Sequence, residues 1–276
     1  MVKVDALLQA MAMPASAHQI QQIQTAHRLQ LIDFWGIPKG ANVLEIGCGQ
    51  GDTLAALAYT VGATGFVHGI DVADARYGAP ETLGQARERL LQSELGQQLR
   101  IDFNIDIFNE QVTFQDKQFD YIVLSHCIWY FASYEMLEKM LMRIRPWGQH
   151  LCLAEWNPCI ELAEQLPHFT AVSIQAIIES FKTSSESNVR TMFYPKDIEQ
   201  ALNKSGWTID KKDNIYSPDL QDGDWEVDAA LSFYPEELEG LPQIPAKLKQ
   251  LLLAQIEALK EVKEIKPMST FCVKAR

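Results

Sequence analysis

The stretch Val43-Leu44-Glu45-Ile46-Gly47-Cys48-Gly49-Gln50-Gly51-Asp52-Thr53 limits what this chain can fold into more than any other part of it. It begins as an apolar strand, passes through glycines at three alternate positions and enters the alanine-rich Thr53 to Tyr59, which reads as helix. Glycines at such a turn permit positive φ and let a ligand approach the backbone. The helix start beyond them offers unpaired N–H groups. A strand, a glycine turn and a helix in this order form a nucleotide-binding βαβ opening.

The surrounding pattern extends that unit. Strand-like segments at 42–46, 66–70, 100–105, 119–124 and 149–154 alternate with helical ones at 53–60, 80–95 and 134–144. Such alternation implies a parallel sheet covered on both faces. The continuous apolar run around Tyr121 to Leu124 suits a central parallel strand. Residues 1–38 read as a helical cap, in which Ile20, Ile23, His27, Leu31 and Phe34 recur at helical spacing. The cofactor-binding core is expected over 39–156 and a helical insertion over 157–193, with helix from 158 to 182. The part from 194 to 276 returns to the core. It holds a helix from Pro195 to Asn203, a strand from Trp207 to Asp210, an insertion at about 216–267 with a helix near 246–264, and a last strand from Ser269 to Lys274.

Composition narrows the classes. The 276 residues carry a formal charge of −12, which argues against a docking surface for a nucleic-acid backbone. No apolar run approaches the roughly 20 residues that span a bilayer, so no membrane partner is expected. The N-terminus ends a weak leader-like pattern at Ala15-Ser16-Ala17, but Asp5 and Gln9 interrupt its apolar part, and a helix is the better reading. The five cysteines, Cys48, Cys127, Cys152, Cys159 and Cys272, include no C-x-x-C pair. Reduced thiols in a cytoplasmic protein are expected, with no metal site.

The turn departs from the dinucleotide fingerprint G-x-G-x-x-G, because Asp52 stands where the third glycine belongs and Gly51 falls one residue early. A carboxylate there disfavours a pyrophosphate. The pattern Glu45-x-Gly47-x-Gly49-x-Gly51 resembles motif I of the class I (Rossmann-like) S-adenosylmethionine-dependent methyltransferases. Carboxylates around the loop are compatible with a cationic sulfonium and ammonium. Asp71 ends the second strand, 20 residues beyond Gly51, where the family places an acid on the ribose hydroxyls. Asp106 and Ile107 follow the third strand, at the position of the family's adenine contacts. The strand Phe119 to Ser125 resembles motif IV, and the Arg145-Pro146-Trp147-Gly148 turn resembles the family's P-G-G turn.

The resemblance implies an α/β fold with a doubly wound, seven-stranded, mostly parallel sheet and an antiparallel last strand, plus the helical cap and insertions. It implies S-adenosyl-L-methionine as cofactor, S-adenosyl-L-homocysteine as product and a small-molecule acceptor methylated at O, N or C. The cofactor set is Glu45, Gly47, Cys48, Gly49, Gly51, Asp71, Val72, Asp106, Ile107, Ser125 and His126. His126 follows the fourth strand, where a general base would reach the acceptor, although a pocket-lining histidine fits the same position. Trp129, Tyr130, Glu155 and Trp156 are expected around the acceptor, with Phe131 and Tyr134 as further candidates for an aromatic wall. Arg28 and His27 belong either over the cofactor tail or in solvent. The serine-rich 183–188 suits a lid hinge or a surface loop. Two other classes stay open at this point: a cofactor-binding regulatory or structural protein without methyl transfer, and a nicotinamide-dependent oxidoreductase, which Asp52 and Asp106 disfavour.

Overall fold

The computed structural model describes residues 2–12, 18–185 and 187–276. The Ala15-Ser16-Ala17 stretch and Glu186 of the polar loop lie outside the described residues.

Seven strands form one sheet in the order β3-β2-β1-β4-β5-β7-β6. They are β1 (Asn42–Ile46), β2 (Phe66–Ile70), β3 (Leu99–Asp102), β4 (Phe119–Ser125), β5 (Gly148–Trp156), β6 (Ile209–Ile215) and β7 (Thr270–Ala275). β1 pairs in parallel with β2 and β4, and the outer pairs β2–β3 and β4–β5 are parallel too. β7 runs antiparallel to both β5 and β6. The sheet is therefore the expected doubly wound one with an antiparallel last strand. Strand order reverses between β1 and β4, and the crevice beyond their carboxyl ends is where open α/β sheets bind ligands.

Helices cover both faces because their apolar residues recur at helical spacing. On one side lie α1 (Val2–Ala10), α2 (His18–Trp35), α3 (Asp52–Val61) and α4 (Leu83–Gln92), which bury Leu8, Leu31, Leu54 and Leu90 in one core. On the other lie α5 (Tyr134–Ile144) and α7 (Pro195–Lys204). Ser133 starts α5 by accepting from Met136 N at 3.2 Å, and Leu137, Met140, Leu141 and Ile144 form its buried stripe.

The two insertions share a third core. α6 (Leu166–Glu179) packs on α8 (Asp222–Ser232), α9 (Tyr234–Glu239) and α10 (Ala246–Leu259) through Ile174, Ile178, Val227, Leu238 and Leu252. Distant segments thus build one helical lobe. No helix among the described residues is long and apolar enough to cross a membrane.

Several boundaries differ from the sequence pattern. β3 stops at Asp102 because Asn104 turns the chain into the left-handed region, φ 59°, so Asp106 lies in a loop beyond the strand. β6 reaches Ile215 although Asp210 to Asn214 are exposed and polar, as an edge strand permits and a burial pattern does not reveal. The helix expected from 158 occupies only Leu166–Glu179, after a short 3-10 turn at Ala163–Gln165, and α10 ends at Leu259, not 264.

Candidate active site

The chain leaves β1 through three left-handed glycines, Gly47, Gly49 and Gly51, with φ of 75°, 51° and 85°. Their reasons differ. A Cβ on Gly47 would lie 2.8 Å from Cys127 Cβ, and one on Gly51 would lie 2.7 Å from Leu90 Cδ1. A Cβ on Gly49 would meet nothing within 4 Å, so its open side is the one a ligand can use. Gly49 N donates to Asp71 Oδ2 at 2.8 Å, and Ala73 N donates to Asp71 Oδ1 at 2.9 Å. The carboxylate that follows β2 is thus fastened to the turn that follows β1. One lone pair on each oxygen is left for a hydroxyl.

Other sequence-predicted residues take graded positions. Cys48 is buried and its side chain packs beneath the turn towards Gly69, so it offers backbone, not thiol. Burial also pushes its thiol up, away from the reactive thiolate. Val72 is 67% exposed at the rim. Asp106 is exposed and its Oδ1 accepts from Phe108 N at 2.8 Å, while Ile107 is buried in the core beside it.

Beneath the turn, Glu45 is buried, and its Oε2 has no hydrogen-bond partner among the described residues. Burial raises its carboxyl well above the usual range, with the Asp52 and Asp71 charges adding to the effect and Arg28 opposing it. Arg28 Nη2 reaches Asp52 Oδ2 at 3.3 Å, and Arg28 Nη1 is buried without a partner among the described residues. Arg28 therefore lies at the turn, and His27 beside it is 4% exposed. His27 is thus buried and Arg28 partly buried, so neither stands free in solvent.

The other half of the crevice is built by the ends of β4 and β5. His126, just past Ser125, sits in the left-handed region at φ 50°, and its N–H donates to Ala154 O at 2.9 Å. Glu155 is 2% exposed. Its Oε2 accepts from Ile128 N and Trp129 N at 3.2 and 3.4 Å, and its Oε1 accepts from Trp156 N at 2.9 Å. His126 Nδ1 faces Glu155 Oε1 at 3.6 Å. Tyr130 is 45% exposed overall, and partial burial of its hydroxyl first, then the charges of Tyr77, Glu155, Cys127 and Asp71, push that hydroxyl up to about 12. Trp156 meets Trp129 edge-on at 5.5 Å and His126 at 6.1 Å between ring centroids. Phe131 and Tyr134 turn elsewhere, against Phe108 and Phe193.

Two histidines that sequence reasoning did not assign to the acceptor side stand here. The His27 ring lies 5.9 Å from that of His126, and His168 of α6 meets Trp156 at 4.8 Å. Burial lowers His27 to about 3, with His126 and Arg28 assisting, and lowers His168 to about 4. Both are neutral imidazoles at pH 7. Helical spacing placed His27 on the inward face of α2, but nothing in sequence linked His168 to a strand end. Two cavities lie outside the glycine turn. One of 310 Å³ is lined by His27, Gln30 and Ser217 among others, and one of 530 Å³ lies in the lobe around Gln175, Glu226 and Tyr234. The five cysteines are free thiols, and no group of three or more candidate metal ligands occurs among the described residues.

Residues 15–212, more than half of the chain, match a family model described as a methyltransferase domain. Nearly the whole chain also resembles a solved cyclopropane-fatty-acyl-phospholipid synthase-like protein from Lactobacillus casei ATCC 334. The two are 33% identical with a TM-score of 0.88, over 99% of this chain and 98% of that one. A geranyl diphosphate C-methyltransferase from Streptomyces coelicolor A3(2), solved with Mg2+, geranyl diphosphate and S-adenosyl-L-homocysteine, shares the fold at 12% identity. Its TM-score is 0.51, over 96% of this chain and 86% of that one. A demethylmenaquinone methyltransferase from Staphylococcus aureus (strain MRSA252) is 25% identical over 142 residues, 50% of this chain and 53% of that protein. The chain spans about half the length of the curated relatives it matches. With this sheet order, this glycine turn and these matches, the chain belongs to the class I methyltransferase family.

Proposed function

We propose that the chain transfers a methyl group from S-adenosyl-L-methionine to the O, N or C atom of a small-molecule acceptor. One observation carries this reading: Asp71 is fastened to Gly49, the one glycine of the turn whose Cβ side is open. That arrangement offers a ribose-binding carboxylate beside a backbone that a ligand can touch.

The residues fit the cofactor on a second count. The orphaned Oε2 of Glu45 is a buried acceptor without a donor, and an amino-acid ammonium supplies one. When bound, S-adenosyl-L-methionine supplies an electrophilic methyl group on a sulfonium. Gly47, Cys48, Gly49 and Gly51 would hold its tail through the backbone, with Glu45 below. Asp71 and Val72 would hold the ribose, Asp106 and Ile107 the adenine, and Ser125 and His126 would face the methyl group. Trp129, Tyr130, Glu155 and Trp156 would surround the acceptor, and the helical lobe would cover it. Relatives named for demethylmenaquinone and geranyl diphosphate support a small molecule as the acceptor class.

Calorimetry with S-adenosyl-L-homocysteine tests the reading. The wild-type chain is expected to bind it and NADH is expected to give no heat. Asp71→Asn is expected to weaken binding by about 10-fold or more, since hydrogen bonds to a charged group contribute ~1.5–3 kcal/mol. No heat from the wild type, or unchanged affinity in the variant, sinks the assignment.

A further inference from the structure

His126 and Glu155 have a relation that cofactor binding alone does not use. Glu155 comes from β5, is nearly inaccessible, and has its carboxylate fixed by three backbone N–H groups, two from the chain after β4 and one from the last residue of β5. Such a carboxylate is held as an acceptor and has little freedom to turn. The imidazole of His126 is 28% exposed, yet its Nδ1 is buried and has no hydrogen-bond partner among the described residues. The exposed part of the ring is therefore the edge that carries Nε2. Glu155 Oε1 stands 3.6 Å from Nδ1. That is too long for a hydrogen bond, and it is within the small ring rotation by which catalytic contacts tighten when a site fills. His27 and Trp156 flank the ring on other sides, at 5.9 and 6.1 Å between centroids, and limit its rotation. The left-handed φ of His126 also places a non-glycine residue in strained backbone, which persists only where its surroundings enforce it.

We infer that His126 and Glu155 form a proton-accepting dyad, Glu155 positioning His126 as general base, and that the acceptor is a protic nucleophile. This rests on the methyl-transfer reading above. Glu155 receives the Nδ1–H of His126, which leaves the lone pair on Nε2 pointing at the acceptor. At the acceptor the X–H bond would break with its electron pair left on X, and X would take up the methyl group as the methyl–sulfur bond breaks, its pair staying on the sulfur of the departing S-adenosyl-L-homocysteine. The proton goes to Nε2, and the resulting imidazolium is stabilised by the Glu155 carboxylate. X is then the oxygen of a phenol or enol, the nitrogen of an N–H, or the carbon of an acidic C–H. An acceptor that attacks with a lone pair and carries no proton, such as a tertiary amine or thioether, has no use for the dyad. The other imidazoles nearby, His27 and His168, are committed elsewhere. His27 contacts Ser217 at Nδ1 and Thr270 at Nε2, and His168 Nδ1 accepts from Met268 N.

The tautomer of His126 tests the dyad without knowledge of the acceptor. The full chain, labelled with 15N-histidine and saturated with S-adenosyl-L-homocysteine, is read by long-range 1H–15N correlation at about pH 8.5, where an imidazole is neutral. His126→Gln assigns the signals. The expected result is a protonated Nδ1 and a bare Nε2 in the wild type, with the Nδ1–H share falling below half in Glu155→Gln while homocysteine-product affinity stays within threefold. A wild-type His126 protonated at Nε2 overturns the inference even if Glu155→Gln does not fold. An unchanged tautomer in a folded Glu155→Gln overturns the positioning role. Failure of the wild type to bind S-adenosyl-L-homocysteine overturns the cofactor reading instead, so the two failures are distinct.

Discussion

At the scale of single residues, the glycine turn divides into positions that serve the fold and one that serves a ligand. Gly47 and Gly51 each combine a left-handed φ with a side on which a Cβ would strike Cys127 or Leu90. Gly49 shares the conformation but has open space. Gly47→Ala is expected to cost about 2–4 kcal/mol, from left-handed strain plus overpacking, and to lower Tm by roughly 5–15 °C. Gly49→Ala is expected to cost only about 1–2 kcal/mol, yet to weaken S-adenosyl-L-homocysteine binding at least as much as Asp71→Asn does. Thermal melts and calorimetry on the two variants separate these effects. A stable Gly49→Ala that binds like wild type means that the open side is not the ligand's.

Among the secondary-structure elements, legibility in the sequence follows burial. β1 and β2 lie at 42–46 and 66–70 as their apolar runs indicate, because central parallel strands are buried on both faces. Asp71 was readable for the same reason, as the acid that ends such a run. Only the start of β6 was readable, since its exposed edge residues Asp210, Lys211, Lys212, Asp213 and Asn214 carry no burial pattern. His168 reaches the site only because α6 packs against α8 and the end of β5, a contact between distant segments that no local period encodes. The two insertions also read as separate until their shared core is seen. Ile174 belongs to that core and is 1% exposed. Ile174→Ala is expected to destabilise the lobe by about 2–5 kcal/mol through the cavity it leaves. Affinity for S-adenosyl-L-homocysteine is expected to stay within threefold, because the glycine turn and Asp71 lie outside that core. Denaturant unfolding and calorimetry check this, and a parallel collapse of cofactor affinity contradicts the separation.

Across the whole molecule, buried titratable groups make stability respond to pH in two opposite senses, shown by His27 and His168 on one side and by Glu226 on the other. His27 and His168 titrate in the fold near 3 and 4 because burial disfavours the cation, against 6.5 when exposed. Their folded values are depressed, so the unfolded chain takes up protons first, and the stability present above about pH 6.5 is lost as pH falls towards 4. Glu226, in the lobe, moves the other way. Burial raises it from 4.5 to about 7, against the opposing hydrogen bond from Asn188 Nδ2. Its stabilisation is complete below about pH 4.5 and is lost as pH rises through 7. Between pH 5 and 6 the unfolded chain therefore binds two protons more at the histidines and one fewer at each of the raised carboxyls, Glu226 and Glu45. The histidines make stability rise with pH over this range, by about 1.4 kcal/mol per pH unit for each proton, and the two carboxyls oppose that rise. His168→Asn, whose side-chain oxygen can still accept from Met268 N, is expected to flatten that slope. Glu226→Gln keeps an acceptor for Asn188, removes one of the opposing carboxyls and is expected to steepen the rise of stability with pH. It should also gain on the order of 3 kcal/mol over wild type at pH 8 and nothing at pH 4. Denaturant titrations of the three chains at half-unit pH intervals measure these slopes. A Glu226→Gln variant whose advantage does not grow between pH 5 and 7 shows that the lobe holds this carboxyl as a charge, which would move the main source of the pH response to the histidines at the active-site crevice.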